Sequence, residues 1–370
     1  MTSQSVSSRQ SLEVFTTSEP ERWNEVLDEL GTYDFYNLAS FHRLSELRGQ
    51  GRAEMLVYRE GGYTIIYPML ARDIDSPPVI SADEGLKDAT SVPGLVGPLA
   101  SAPSVPEDIR QGFIRTLQAC FEESRIITAY CRLNCLLDQQ PLFDGYGQTV
   151  AHGVEISIDL TIPPEEQFAR YRRDHRKDIS KLIQEGFVCE EVGVECLDEF
   201  IRIYYDTMDR KNAEPAYYFD RFFLEYLMND MSDVTHMFVC KDGERVTSVG
   251  LYIECKGIVH AYLGGTDLDY IKLSPSKLVT DAVRRWAVEK GCRMLHMGAG
   301  DRTQRDSLWD YKMAFGGREH EYSTWRHVVN PEVYEDICRR ISGIAGQELD
   351  DSYFPMYRHP NLGLNSAAGS

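Results

Sequence analysis

One order of elements occurs twice in this chain, and it constrains the fold more than any single motif does. Residues 53–59 and 63–71 read as strands around the turn Glu60-Gly61-Gly62, a β-hairpin signal. A helix over 106–124 and a strand over 125–133 follow. Farther along, strands at 237–240 and 245–254 join through Asp242-Gly243, and residues 257–264 add a third. A helix over 274–289, stopped by Gly291, and a buried strand over 293–297 complete the second pass. Hairpin, helix and strand run through twice imply two related α/β units, although no residue-by-residue repeat is visible. A length of 370 residues leaves room for two domains of ordinary size.

Residues 1–11 are polar and Ser-rich and are expected to fray. Residues 19–30 read as an amphipathic helix opened by Ser18 with Pro20 just inside, and 36–47 as a second helix ending at Gly49. Residues 73–100, with Pro77, Pro78, Pro93, Gly94, Gly97 and Pro98, read as loop. A strand over 148–160 leads through Pro163-Pro164 into a helix over 165–185 that carries YRRDHRKDISK. Phe168, Tyr171, His175, Ile179 and Leu182 recur there as one buried stripe, leaving Arg170, Arg172, Arg173, Arg176, Lys177 and Lys181 mostly outward. A strand over 187–194 and helices over 196–209 and 217–227 precede the second hairpin. A strand over 321–329, a helix over 331–341 and a tail containing FPMYRHP close the chain.

The net charge of −19 excludes broad coating of a nucleic acid, so any RNA contact must use a local basic patch. The block in 165–185 is the one dense run of cations. It reads either as a solvated face neutralised by Asp174 and Asp178, or as a landing strip for a phosphate backbone. Nine cysteines include no C-x-x-C pair and no paired Cys/His spacing, so no metal site is expected and buried reduced thiols account for them. With no apolar h-region and no run of about eighteen apolar residues, a cytoplasmic protein without a membrane span is expected.

The stretch 295–326, LHMGAGDRTQRDSLWDYKMAFGGREHEYSTWR, has a short apolar start, a polar loop over 298–305 and a packed segment over 307–315. Lys312 stands in that segment between Tyr311 and Met313, close to Trp309 and Phe315. A lone ammonium among large apolar residues either snorkels to water or is aimed at an anion. No Ser/His/Asp or Cys/His pair has a spacing that supports covalent catalysis. Direct attack of an amine on an activated ester needs none, only an oxyanion stabiliser, a proton acceptor and positioning. Asp301, Asp306 and His296 are all near enough in sequence to accept the proton, and substrate-assisted transfer is an equal alternative.

AYLGGTD (261–267), the helix SPSKLVTDAVRRWAVEKG, the strand with GAG (298–300) and DSLWDYKMAFG form an ordered series. This series resembles the second acyltransferase domain of the Fem-like aminoacyltransferases, relatives of the GNAT superfamily. The likeness extends over most of residues 30–340. It implies an α/β (α+β) fold of two tandem GNAT-like domains, each a mixed sheet flanked by helices: 12–162 on the acceptor side, 163–344 on the donor side, and a tail over 345–370. It also implies transfer of an amino acid from a charged tRNA to an amine, with aminoacyl-tRNA as co-substrate and no bound cofactor.

Carried onto this chain, the resemblance makes Lys312 the catalytic cation, near the carbonyl or the tRNA end, and lets Tyr311 stack on the terminal adenine. Tyr217, Tyr218 and Tyr262 match aromatic positions of the acceptor channel, with plain core packing as the alternative for each. Arg210 is a candidate for an acceptor anion, and Thr266 is set beside these as substrate-binding. Arg172, Arg173, Arg176 and Lys177 become the tRNA-binding residues. The segment DLDYIKLSPSKLVTDA has no glycine between Gly265 and the helix, where acyl-CoA-using GNAT proteins carry a glycine loop that grips pyrophosphate. Relatives acting on nucleotide-linked cell-wall precursors place a diphosphate-binding lysine in the helix matching 36–47. Only His42, Arg43 and Arg48 are present there, so a peptide-like or nucleoside secondary metabolite stands as acceptor beside a cell-wall precursor. An acyl-CoA-dependent N-acyltransferase and a non-catalytic binding protein on the same fold remain the alternatives.

Overall fold

A computed structural model of the chain describes residues 11–75, 80–81, 84–137, 141–300, 305–346, 348–351, 353–359 and 362. It divides into two compact units, Met1–Ala151 with Ser323–Ser370, and His152–Tyr322. Residues 323–344, grouped by sequence with the second domain, thus fold with the first.

In the first unit, β1 (Ser11–Thr16), β2 (Arg52–Glu60), β3 (Tyr63–Asp73), β4 (Lys87–Thr90) and β6 (Ile126–Arg132) lie side by side in that order, with β5 (Leu99–Ala100) on β3. The second half of β13 (Arg318–Val328) pairs antiparallel with β6 from Thr324 to Val328. The hairpin is as expected, whereas β1, β4 and β5 arise in stretches that alternate too briefly to be read as strands. Helix α1 (Pro20–Leu30) buries Trp23, Val26, Leu27 and Leu30, spaced for one face. Helix α3 (Glu107–Glu123) buries Ile109, Phe113, Leu117 and Phe121, an i, i+4 stripe. Tyr67, Phe143 and Trp325 fill the centre, with Phe143 stacked on Trp325 at 3.9 Å. The expected helix over 36–47 begins only at Ala39 as α2 (Ala39–Leu47). Asp34 first caps a turn of 3-10 helix over Phe35–Asn37. His42 lies fully buried in α2 beside Trp23, and burial pushes its pKa down to about 3, so it is neutral.

The C-terminal helix α10 (Pro331–Ala345) buries Tyr334, Ile337, Cys338 and Ile341 against Ile74, Ile127 and Tyr357. Buried Asp88 accepts from Arg72 at 2.6 Å and from Arg358 at 2.8 Å. Residues 354–359 are therefore anchored in the first unit by a carboxylate that burial makes costly to leave unpaired.

In the second unit the strand order is the first half of β13, then β7 (Gln148–Asp159), β12 (Met294–Ala299), β11 (Ile258–Thr266), β10 (Arg245–Cys255), β9 (Thr235–Asp242) and β8 (Val188–Val192). Helices α5 (Arg173–Gln184) and α8 (Ser276–Glu289) bury Ile179, Leu182, Leu278 and Val283 in one core with Phe238, Tyr252, Val259 and Leu295. The helix expected over 165–185 is broken into α4 (Pro164–Ala169) and α5. Tyr171 turns into the core edge-on to Phe315, and the Arg172 amide donates to Ala314 O at 2.8 Å instead of continuing the helical ladder. The expected stripe survives that break, since Tyr171, His175, Ile179 and Leu182 are buried and Phe168 is half-buried against the same core. The helix expected over 217–227 starts late, as α7 (Arg221–Asn229), because the Asp220 carboxylate accepts from the Phe223 amide at 2.9 Å.

Candidate functional site

Strands β11 and β12 are paired in parallel over only three residues, Ile258–His260 opposite Met294–His296. Beyond them the strands part, and a cavity of about 470 Å3 opens, lined by Ala261–Thr266 on one side and Met297 on the other. Both strands are irregular there. The β10–β11 register shifts between Leu251 and Tyr252, opposite Leu263 and Ala261, and the β12–β7 register shifts between His296 and Gly298. Such bulges re-aim side chains and main chain beside a site. Helix α6 (Leu197–Lys211) reaches the rim because β11 has Gly265, where a Cβ would meet Ile203 O and Thr207 Oγ1 at 2.8 Å each. Thr207 Oγ1 accepts from the Thr266 amide at 3.1 Å and locks the contact.

Five of the sequence-predicted residues line this cavity: Arg210, Tyr262, Thr266, Tyr311 and Lys312. Tyr311 and Lys312 come from α9 (Ser307–Met313), which Asp306 caps by accepting from the Trp309 amide at 2.9 Å. The Tyr311 ring packs edge-on to Phe315, and its hydroxyl donates to Ser276 Oγ at 3.2 Å, at the start of α8. Tyr262 lies nearly parallel to Phe223, their centroids 6.3 Å apart. Tyr217 and Tyr218 do not line the cavity. Tyr217 is exposed, its carbonyl taken by Tyr204 Oη at 2.7 Å, and Tyr218 Oη donates to Asp209 at 2.7 Å.

Lys312 does not snorkel, and among the described residues no carboxylate lies within 4 Å of it. Its ammonium donates to Ala299 O at 2.6 Å. Burial pushes its pKa down to about 8, against the opposing pull of Glu155 and Asp306. Gly298, at φ +74°, makes this position possible: a Cβ there would stand 3.2 Å from Lys312 Nζ. The same Cβ would stand 3.9 Å from Glu155 Oε2. Glu155 in turn accepts from His296 Nε2 at 3.1 Å, and His296 Nδ1 meets His260 Nδ1 at 2.8 Å. His296, a candidate proton acceptor by sequence, lies in this network behind the cavity and not among its lining residues. Asp306 is occupied as the α9 cap, and Asp301 lies outside the described residues.

Glu155 and His260 were missed because nothing local marks them: each sits singly in a strand, and only the strand order brings them together. Lys211 was missed as an ordinary last-turn lysine, yet it stands on the rim beside Arg210. The lining thus holds three cations, Arg210, Lys211 and Lys312, and among the described residues no carboxylate, in a chain of net charge −19. Neither Arg210 nor Lys211 has a carboxylate within 4 Å among the described residues, so the cavity carries a concentrated positive field. Among those residues no group of three or more His, Cys, Asp or Glu could hold a metal ion, and no helix is long and apolar enough to cross a membrane.

The basic segment is partly neutralised. Arg172 pairs with Asp174 at 2.7 Å, and Arg170 with Glu166 at 2.7 Å. Arg173 and Lys177 are exposed and Arg176 half-buried, and no carboxylate lies within 4 Å of any of the three among the described residues.

Residues 169–313 match the family described as acetyltransferase (GNAT) domain, and that match contains the cavity. No curated protein matches the chain. Among solved structures, FemX is similar with a TM-score of 0.68 at 12% identity, covering 88% of this chain and 99% of that one. L-PGS from Bacillus licheniformis is similar at 0.54 and 14%, covering 87% and 96%. A tandem GNAT protein from the clavulanic acid biosynthesis pathway is similar at 0.50 and 10%, covering 87% and 99%. The chain has a GNAT-like fold, and its residues 169–313 match a GNAT acetyltransferase domain. It carries the tandem GNAT-like arrangement that the Fem-like resemblance implies, each unit a mixed sheet flanked by helices.

Proposed function

We propose that this protein is an aminoacyltransferase that moves an amino acid from an aminoacyl-tRNA ester to the amine of a peptide-like or other metabolite acceptor. The observation that carries the reading is the charge of the cavity. Among the described residues three cations and no carboxylate line it, in a strongly acidic chain, an arrangement suited to the phosphate-bearing end of a donor. The likeness to FemX over nearly its whole length supports the donor class. In the transfer the amine nitrogen attacks the ester carbonyl and a C–N bond forms. The ester C–O bond then breaks, and the ammonium proton passes to the leaving ribose oxygen. Lys312 stabilises the oxyanion or the adjoining phosphate, and Tyr311 and Tyr262 flank the reacting groups. Arg210 and Lys211 hold an anion at the rim.

A CoA thioester is the second reading, favoured by the acetyltransferase description of the matching family. Purified protein should form an amide from a pool of charged tRNAs and candidate amines, and RNase treatment should abolish it. Product from acetyl-CoA that is indifferent to RNase would replace the first reading with the second.

The acceptor is not expected to be a UDP-linked peptide. Position 42 is a buried neutral histidine, Arg43 is paired with Glu46 at 3.1 Å, and Arg48 is the C-cap residue of α2. Calorimetry should detect no micromolar binding of such a ligand, and a clear micromolar isotherm would restore a cell-wall precursor as acceptor.

A further inference from the structure

We infer that Glu155, buttressed by His296 and His260, is a positioning residue that keeps the Lys312 ammonium protonated and turned toward the cavity. All four side chains belong to the second unit, drawn from β7, β12, β11 and α9. The geometry is a cradle around one glycine. Lys312 Nζ and Glu155 Oε2 approach Gly298 so closely that a Cβ there would lie 3.2 and 3.9 Å from them. Lys312 Nζ donates to the carbonyl of Ala299, and Ala299 is the β12 residue opposite Glu155. Glu155 therefore faces the ammonium across the glycine gap without a direct contact that would quench its charge.

The carboxylate is itself held. His296 Nε2–H donates to Glu155, which leaves His296 Nδ1 to accept from His260 Nδ1–H. Both histidines are buried, so the carboxylate orients the pair through one chain of hydrogen bonds. An enclosed ammonium without a facing anion sheds its proton readily, because burial disfavours the charged form. Burial does pull Lys312 down to about 8, and Glu155 is the first-ranked opposing influence, ahead of Asp306.

Among the described residues, the other charged or titratable groups near Lys312 give its charge weaker support or oppose it. Asp306 is occupied capping α9, and Asp310 on the same helix is exposed. Tyr311 and Tyr262 line the cavity, burial pushes the Tyr311 hydroxyl up, and His175 donates to Tyr311 O from α5. Arg210 and Lys211 line the same cavity as cations and oppose protonation.

Glu155→Gln tests this, because the amide carbonyl still accepts from His296 while the charge is gone. Lysine ε-methylene NMR titration of the full chain, with the Lys312 signal identified by its loss in Lys312→Met, should show Lys312 titrating about one pH unit or more lower in Glu155→Gln. Glu155→Asp should restore most of the difference. Lys312 titrating at one pH in both wild type and Glu155→Gln overturns the assignment, and so does Glu155→Asp behaving like Glu155→Gln. The inference rests on the proposed function only for its consequence in turnover, where the alkaline limb of the rate should move down with the titration. A shifted titration with an unmoved rate profile upholds Glu155 in its role and removes Lys312 from the chemistry.

Discussion

Lys312→Met should slow single-turnover transfer by about two to three powers of ten, or ~3–4 kcal/mol in the barrier, with the protein fully folded. The substitution preserves length and apolar bulk, so the packing of α9, with Trp309, Tyr311 and Met313 against the core around Phe315, changes little. Stability separates a catalytic cation from a structural one. The folded pKa of Lys312, about 8, lies below the ordinary lysine value of 10.5 because burial disfavours the charge. Between those values the unfolded chain binds more protons. The lysine's contribution to stability is therefore present in full above 10.5 and lost as pH falls through 8. At neutral pH the methionine variant should match the wild type or exceed it by about 1–3 kcal/mol, and it should lack the rise in stability from pH 8 to 10.5. A fast variant would leave the fold standing without this mechanism. A slow variant with a lowered thermal midpoint would mean that Ala299 needs the lysine for structure alone.

Much of this was legible in the sequence where local pattern and local chemistry agree. The second hairpin and α8 fall where turn residues and helical spacing place them, and the packed segment over 307–315 becomes α9. The chain broke the pattern where a distant partner decided the outcome. The 165–185 segment has unbroken helical periodicity, yet Ala314, far along the chain, takes the Arg172 amide and splits it. Strand β1 exists because β2 offers it a ladder from Ser11 to Thr16, which six polar and apolar residues cannot announce alone. The site divides in the same way. Lys312, Tyr311, Tyr262, Thr266 and Arg210 stand in or beside motifs with a recognisable order, and all five line the cavity. Glu155, His260 and Lys211 are single residues without a motif. Their meaning depends on which strands neighbour β12 and where α6 ends, and that information is tertiary.

Replacing Arg173, Arg176 and Lys177 with Glu should weaken binding of charged tRNA by about 100- to 1000-fold at physiological salt, and should flatten the slope of log affinity against log salt by about two to three. The choice of residues follows from the ion pairs. Arg172 already shares its charge with Asp174, Arg170 with Glu166, and Lys181 lies 3.7 Å from Glu185. Neutralised cations release few counterions when a phosphate arrives, so they add little to a salt-dependent affinity. Arg173, Arg176 and Lys177 carry no such partner among the described residues and are the cations of α5 available to a phosphate backbone. Arg172→Glu alone should cost far less, since it turns an exposed pair into a local repulsion at Asp174 and changes one effective contact at most. The stripe of Tyr171, His175, Ile179 and Leu182 lies on the buried side of the same segment, so the triple variant should keep its unfolding free energy within about 1 kcal/mol of the wild type. Filter binding across a salt series decides the point. Unchanged affinity and slope would reduce this helix to a solvated face, and the positive field of the cavity alone would then have to account for any RNA donor.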